Sequence, residues 1–182
     1  VQGLFPAWAQ TGSRGIAPTI TTLNGPDIAL TVGHAPFSVG GRTGHAITVN
    51  GTLPAPLIRL REGQMARLSV TNTLDEDTSI HWHGLLLPNA QDGVPDLPMP
   101  VLQPGENRAY DFAARPGTHW MHAHIPAHEM RLLAAPLVVR RPEDVAADRQ
   151  EVTLFLHDFA FKPPAEVLAE ITGGASMAGM DH

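Results

Sequence analysis

Two short stretches of the sequence carry histidine at alternate positions. His81 and His83 form the first pair, and His122 and His124 form the second. In an extended strand successive side chains point to opposite faces, so the two histidines of each pair would emerge on the same face. Two such strands lying side by side would direct four imidazoles towards one region, which predicts a metal site.

The spacing within each pair bears on how many ions such a site would hold. Residues i and i+2 of a strand lie roughly 6.5–7 Å apart, whereas a ligand nitrogen lies about 2 Å from its metal ion. A pair therefore suits two or more neighbouring ions. One His-x-His can arise in a strand by chance, but two in a chain with 10 histidines favour metal ligation. Imidazole binds Zn, Cu, Fe and Ni, so these residues do not choose the metal.

The composition restricts the classes of protein to consider. With 182 residues the chain can form one well-cored domain. Its net charge is −6 and no basic run interleaves with aromatic residues, so we expect no nucleic-acid partner. No apolar run reaches the roughly 18 residues of a membrane-spanning helix, so we expect no membrane span. Cysteine is absent, which excludes disulfides and thiolate ligands within these residues.

The elements that must position the histidines are predicted to be strands. The chain contains 17 Gly and 17 Pro, with short runs rich in Val, Ile, Leu and Thr between them, which is typical of an all-β fold. The predicted strands cover residues 28–33, 46–49, 57–60, 66–73, 79–83, 108–112, 118–123, 136–140 and 151–157. This many short strands predicts a sandwich or a barrel.

Three segments are predicted to be something other than strand. Residues 11–25 lack periodicity and are predicted to be a loop. Residues 85–105, rich in proline, form a long loop beside the first histidine strand that could shape access to the site. Residues 163–171 predict a short helix, with proline at its start and two glycines after its end.

The two ends of the sequence carry weaker signals. Residues 1–10 are apolar and include Ala7 and Ala9 in the small-x-small pattern that ends an export signal. They predict a signal-peptide remnant and an exported or periplasmic protein, the alternative being an apolar N-terminal arm. Near the other end, Met177, Met180 and His182 lie in a segment of small residues. Thioethers suit Cu(I), but a flexible linker is the preferred interpretation.

The histidine pairs also occur in a wider pattern. Residues 78–84, then Asp-Gly-Val-Pro at 92–95, then residues 117–124 resemble the first cupredoxin domain of multicopper oxidases, in particular the bacterial laccase-like and copper-resistance group. Residues 48–56 and 131–139 fit the same pattern, so the resemblance covers about 28–151. It implies a cupredoxin-like Greek-key β-sandwich or barrel with a short C-terminal helix. The implied divisions are 1–27 (signal remnant and arm), 28–160 (cupredoxin-like domain) and 161–182 (helix and linker).

The resemblance implies copper as the cofactor and a role for each site residue. By its position in the pattern, His81 would bind the type 2 copper, and His83 one of the type 3 coppers. His122 and His124 match type 3 ligands of the second pair. Asp92 falls where the family has a carboxylate near the type 2 copper, as a proton donor during oxygen reduction, although it could be an ordinary turn residue.

The resemblance also identifies what this sequence lacks. A complete oxidase of this kind needs a cysteine for the type 1 copper and four more histidines, all from a C-terminal cupredoxin domain. The chain would thus supply half of a trinuclear site, either as an N-terminal fragment or as one chain of a divided assembly. His119 replaces an aromatic residue of the family and should face away from the ligands. For His128 we favour a structural role over copper binding.

Three functions are compatible with these features. The leading hypothesis is the first domain of an exported oxidase that couples one-electron oxidation of phenols or Cu(I) to the reduction of dioxygen to water. Its partners would be dioxygen, a small reducing substrate, and the C-terminal cupredoxin domain or chain that completes the site. Because it lacks the type 1 copper ligands, we expect this chain to be inactive by itself even under the leading hypothesis. The second hypothesis is a non-catalytic periplasmic copper-binding module. The third is a structural cupredoxin domain, against which four intact histidines argue.

Overall fold

A computed structural model describes residues 20–97, 99–147 and 151–173 of the chain. The predicted signal remnant with Ala7 and Ala9 lies outside these residues. So do Met177, Met180 and His182, so their suggested roles stay predictions. No helix within the described ranges is both long and apolar enough to cross a membrane.

The described residues form two mixed β-sheets. The first has the strand order β1-β4-β9-β8-β6, and the second has the order β3-β2-β5-β7. The strands are β1 (Thr22–Asn24), β2 (Asp27–Val39), β3 (Arg42–Val49), β4 (Leu57–Arg61), β5 (Met65–Asn72), β6 (His81–His83), β7 (Asn107–Ala113), β8 (Gly117–His122) and β9 (Ala134–Arg140). The helices are α1 (Pro126–Glu129), α2 (Pro142–Ala146) and α3 (Pro164–Gly173).

The core lies between the two sheets and is built by alternation along the strands. In β5 the side chains of Ala66, Leu68 and Val70 point inwards and are fully or almost fully buried. Trp82 on β6 is also completely buried, with its ring 5.3 Å from Tyr110 and 5.7 Å from Phe112 on β7. Trp82 therefore ties the three-residue strand of the first histidine pair to the opposite sheet.

Most of the sequence-based fold prediction is confirmed. The protein is an all-β sandwich, eight of the predicted segments contain strands, and the predicted C-terminal helix is α3. Within the described residues two strand assignments were wrong. Residues 151–157 are extended but belong to no strand, because both edges of the preceding strand, β9, are already paired with β4 and β8. Strand β1 lies in the predicted loop, where Thr22 to Asn24 pair in parallel with β4.

The loop at residues 85–105 is irregular, as predicted, apart from one short 3-10 helix at Asn89–Gln91. Buried side-chain hydrogen bonds fix its far end. Asn72 donates from Nδ2 to the carbonyl of Leu102 at 2.9 Å, and the backbones of Thr78 and Leu102 bond each other at 2.8 and 2.9 Å. The loop is thereby held against the segment that enters β6.

Candidate metal centre

The antiparallel pairing of β6 with β8 brings the two His-x-His pairs together. In this register His81 lies opposite His122, and His83 lies opposite Trp120. His124 follows the end of β8, where its backbone N–H donates to Ser79 Oγ at 2.8 Å. We call His81, His83, His122 and His124 the histidine cluster.

The ring of His81 lies within contact distance of the other three rings. The ring of His81 has its centroid 5.5 Å from that of His83, 5.6 Å from that of His122 and 4.7 Å from that of His124. One ring nitrogen each from His81, His83 and His122 can be chosen so that all three lie within 4.8 Å of one another. The structure therefore brings together all four histidines singled out in the sequence, three of them as a compact donor set.

Backbone carbonyls fix the orientation of two of these rings. His81 Nδ1–H donates to the carbonyl of Asp92 at 2.9 Å, and His122 Nδ1–H donates to the carbonyl of Ala123 at 2.9 Å. A neutral imidazole that donates from Nδ1 carries its lone pair on Nε2. Both residues are thus set to offer Nε2 as a metal ligand, in the manner of metal-binding histidines held through their other nitrogen.

The third ring faces the second directly. Nδ1 of His83 lies 3.1 Å from Nε2 of His122. When His122 Nε2 carries a lone pair, His83 must either donate a proton to it or point a second lone pair at it. Two lone pairs that face each other are stable only with a cation near both nitrogens. The nitrogens of His83 and His122 therefore fit a metal ion that prefers imidazole ligands.

Burial keeps part of the cluster neutral. The pKa of His122 is lowered to about 4, first by burial and then by the neighbouring histidines His124, His81 and His83, although its bond to Ala123 opposes the shift. The pKa of His124 is lowered as well, chiefly by burial and next by His81. At neutral pH these imidazoles therefore hold free lone pairs.

Asp92 lies beside His81 through both its backbone and its side chain. Its carbonyl accepts the His81 bond, and its carboxylate Oδ2 lies 3.5 Å from the same Nδ1. The residue after Asp92 must be glycine, because the backbone there passes close to the backbone of Ile80. Gly93 has φ +81°, and a Cβ there would lie 1.7 Å from the carbonyl oxygen of Ile80. Asp92 is thus a turn residue and a neighbour of the cluster at the same time.

His128 lies outside the cluster and has a structural environment. It is buried on α1, with Nδ1 2.9 Å from Thr78 Oγ1 and Nε2 3.3 Å from Glu76 Oε1. Burial lowers its pKa, and Glu76 partly opposes this effect. His128 therefore joins the short helix after β8 to the segment before β6, which agrees with the predicted structural role.

His119 also lies apart from the cluster. Its Nε2–H donates to the carbonyl of Arg115 at 3.3 Å, and its ring lies against Gly84 and Gly117. A second group of possible ligands, His34, Asp75 and Glu76, is exposed. Arg131 lies 3.4 Å from both His34 and Glu76, so that group already contains a cation.

Sequence reasoning missed three features of the site. Two are the carbonyls that hold His81 and His122, since residue type does not reveal which backbone oxygen meets a side chain. The third is Trp120, whose ring stacks on His122 with a centroid distance of 4.0 Å and an angle of 12°. Its position two residues before His122 was the available signal, because alternation places both on one face.

Comparisons with known proteins show which family the chain resembles. A family model described as multicopper oxidase matches residues 31–144. Copper resistance protein A of Pseudomonas syringae pv. tomato is 37% identical over 166 residues, which cover 90% of this chain and 26% of that protein. Copper resistance protein A of Escherichia coli is 34% identical over 175 residues, covering 94% of this chain and 29% of that protein. The chain thus spans just over a quarter of the length of these relatives.

Solved structures with the same fold belong to copper oxidases. A blue copper oxidase from Nitrosomonas europaea aligns with a TM-score of 0.61 and 35% identity, over 64% of this chain and 39% of that one. A laccase-like multicopper oxidase from Ochrobactrum sp. aligns with a TM-score of 0.66 and 27% identity, over 74% of this chain and 32% of that one. The two-sheet sandwich is therefore the cupredoxin fold predicted from the sequence.

Proposed function

The chain belongs to the multicopper oxidase family, and we propose that its histidine cluster forms one wall of a copper site that a further cupredoxin domain or chain completes. The observation that carries this proposal is the convergence of ring nitrogens from β6 and β8. His83 Nδ1 and His122 Nε2 lie 3.1 Å apart, and one ring nitrogen each from His81, His83 and His122 lie within 4.8 Å of one another. Imidazole is a suitable ligand for copper.

The residue roles implied by the sequence pattern are compatible with this arrangement. We assign His81 to the type 2 copper, and His83, His122 and His124 to type 3 coppers. The chain's own contribution includes holding two of the rings in a fixed tautomer, as the Asp92 and Ala123 carbonyls do for His81 and His122. Bound copper would supply the one-electron chemistry that couples oxidation of phenols or Cu(I) to reduction of dioxygen to water.

We further propose that Asp92 holds a proton for this chemistry. Its carboxylate is half-exposed and lies 3.5 Å from the ring of His81, so it can exchange protons with solvent while facing the cluster. In the same proposal residues 28–160 form the cupredoxin-like domain, residues 161–182 are a short helix followed by a linker, and the protein acts in the periplasm or outside the cell. The names of the relatives, copper resistance protein A and laccase, support copper or phenols as reducing substrates.

Copper titration of the purified chain tests the ligand assignment. We expect His81→Ala and His122→Ala to weaken Cu(II) binding at least about tenfold in isothermal titration calorimetry, because each removes one ligand of the histidine cluster. His45→Ala is the matched control, since His45 is exposed on β3. Cu(II) affinities of both cluster variants equal to that of the unchanged chain would contradict the proposal.

One observation favours the second candidate, a copper-binding module without catalysis. The 182 residues contain no cysteine, so they offer no thiolate for a type 1 copper. The copper-loaded chain, assayed with a phenol under air first alone and then with an added C-terminal cupredoxin domain, distinguishes the two roles. Copper binding without turnover is expected of the chain alone under either role. Steady turnover or an intense blue absorption by the chain alone, or turnover that depends on its copper-bound histidines once the partner domain is added, would exclude the module.

A further inference from the structure

Trp120 makes an unusually close contact with two members of the histidine cluster. Its indole stacks on the ring of His122 at 4.0 Å and 12°, and it lies 5.0 Å from the ring of His83 at 36°. The strand geometry explains both contacts. Trp120 and His122 share a face of β8, and the register places Trp120 opposite His83.

Of the two rings that Trp120 contacts, His83 is the one that no described backbone carbonyl anchors. His81 and His122 each donate from Nδ1 to a backbone carbonyl, whereas the only ring hydrogen-bond partner of His83 among the described residues is His122. His83 is also exposed. Packing against Trp120 therefore restricts the rotation of its ring where no hydrogen bond does.

We propose that Trp120 is a positioning residue for copper binding, which holds the ring planes of His83 and His122 so that Nδ1 of one faces Nε2 of the other. This inference rests on the proposed copper function of the cluster. Within the site Trp120 contacts the rings of His83 and His122, and its indole nitrogen is a donor only, so its role is to orient ligands and it is itself neither a ligand nor a catalytic residue. Contacts between aromatic rings have preferred geometries. The flat indole can therefore restrict the planes of the His83 and His122 rings.

The surroundings of Trp120 distinguish it from a core residue. The other tryptophan near the site, Trp82, is completely buried between the sheets, whereas Trp120 is half-buried. Beyond Trp120 lies a cavity of about 560 Å³, lined in part by Phe155 and His157. The indole thus stands between this cavity and the imidazoles, and it excludes water from that side of His122.

The experiment compares Trp120→Phe, which keeps an aromatic plane, with Trp120→Leu, which keeps apolar volume alone. Each purified chain is titrated with Cu(II) and, separately, with redox-inert Zn(II), and the Cu(II) complex is examined by electron paramagnetic resonance. We expect the leucine variant to bind both ions about tenfold more weakly and to give a broadened Cu(II) spectrum. The phenylalanine variant should stay within about threefold of the unchanged chain, with a sharp spectrum.

Phe155→Leu is the matched control, because Phe155 contacts the far side of Trp120 at 6.2 Å and should leave affinity unchanged. Should the leucine variant fail to fold by circular dichroism, Trp120→Met provides the same comparison. Unchanged affinity and spectrum in the non-aromatic variant, or equal losses in the phenylalanine and non-aromatic variants, would overturn the positioning role. The copper function would fail separately, through unchanged binding in His81→Ala and His122→Ala.

Discussion

Strand β6 and the segment at residues 151–157 were both predicted to be strands, but only β6 is paired in a sheet. Both are short stretches that combine apolar residues with histidine. Strand β6 is three residues long, yet it is paired with β8 and fixed by the buried ring of Trp82. The segment is longer, yet no described backbone group hydrogen-bonds to it, and Val152, Leu154 and Leu156 are 72%, 83% and 91% exposed.

The difference lies in what surrounds each stretch. Among the described residues, side chains alone attach the C-terminal segment. Glu151 forms ion pairs with Arg59 and Arg140, and the ring of Phe155 lies 6.2 Å from that of Trp120. Just beyond the segment, Phe159 packs on Phe37 with the ring centroids 4.7 Å apart. Strand β6 lies at the edge of its sheet, yet β8 pairs with it on one side and the backbone of Trp82 bonds to Asp92 on the other. Strand-like composition thus predicts an extended chain, and the free edge of a neighbouring strand decides whether it becomes part of a sheet.

The largest expected effect tests how tightly β6 is enclosed. In Gly93→Ala the new Cβ would meet the carbonyl of Ile80 at 1.7 Å, in a backbone with φ +81°. Overpacking against rigid backbone and the left-handed conformation together should lower the free energy of unfolding by more than about 3 kcal/mol. Chemical denaturation measures this loss, and copper titration should show weaker binding because the Asp92 carbonyl moves away from His81.

Gly105→Ala is the control that separates the two causes, the steric clash with Ile80 and the cost of a left-handed backbone for alanine. Gly105 has a similar φ of +75° but nothing within 4 Å of an added Cβ. We expect a loss of about 1 kcal/mol there, from the left-handed conformation alone. Equal losses in the two variants would show that the loop beside β6 adjusts freely and that the strand is less enclosed than the distances indicate.

A smaller effect is expected from acid, and it tests the burial of the cluster in the metal-free chain. An unfolded histidine has a pKa near 6.5, whereas that of folded His122 is about 4. The unfolded state therefore binds more protons between these values, so stability falls as the pH drops through them. We expect His122 to contribute a loss of about 2 kcal/mol between pH 7.5 and pH 5.

Denaturation at several pH values, compared between the unchanged chain and His122→Gln, measures this contribution. The variant should lose about 2 kcal/mol less over the same range. His45→Gln, at an exposed position, should follow the unchanged chain. If the His122→Gln curve also ran parallel to that of the unchanged chain, His122 would be as accessible to protons as a surface histidine, and the contrast between β6–β8 and the C-terminal segment would weaken.

The sequence was sufficient for the parts of the site that depend on local geometry. Alternation grouped His81 with His83 on one face, and their rings lie 5.5 Å apart. The structural role of His128 stays a prediction, with which its contacts to Thr78 and Glu76 agree. The register that sets His81 opposite His122 was out of reach, because it depends on Trp82 packing against Tyr110 and Phe112 from another sheet. Long-range contacts of this kind leave no local pattern.

The same limit explains the fold assignments that were wrong. Residues 151–157 have strand-like composition, but the sequence does not state that both edges of β9 are occupied. Strand β1 is only three residues long, and it lies in a stretch rich in Gly, Pro and Thr whose composition indicated a loop. It becomes a strand because β4 offers it a free edge.

The smallest expected effect tests the unpaired segment directly. Leu154→Ala removes a side chain that is 83% exposed, so the free energy of unfolding should change by less than about 0.5 kcal/mol. Leu133→Ala makes the same chemical change at a fully buried position and should cost about 2–5 kcal/mol. Denaturation of both variants in one buffer gives the comparison. A loss above about 1 kcal/mol for Leu154→Ala would mean that this side chain is covered in solution, and the segment would then resemble β6 in having found a neighbour.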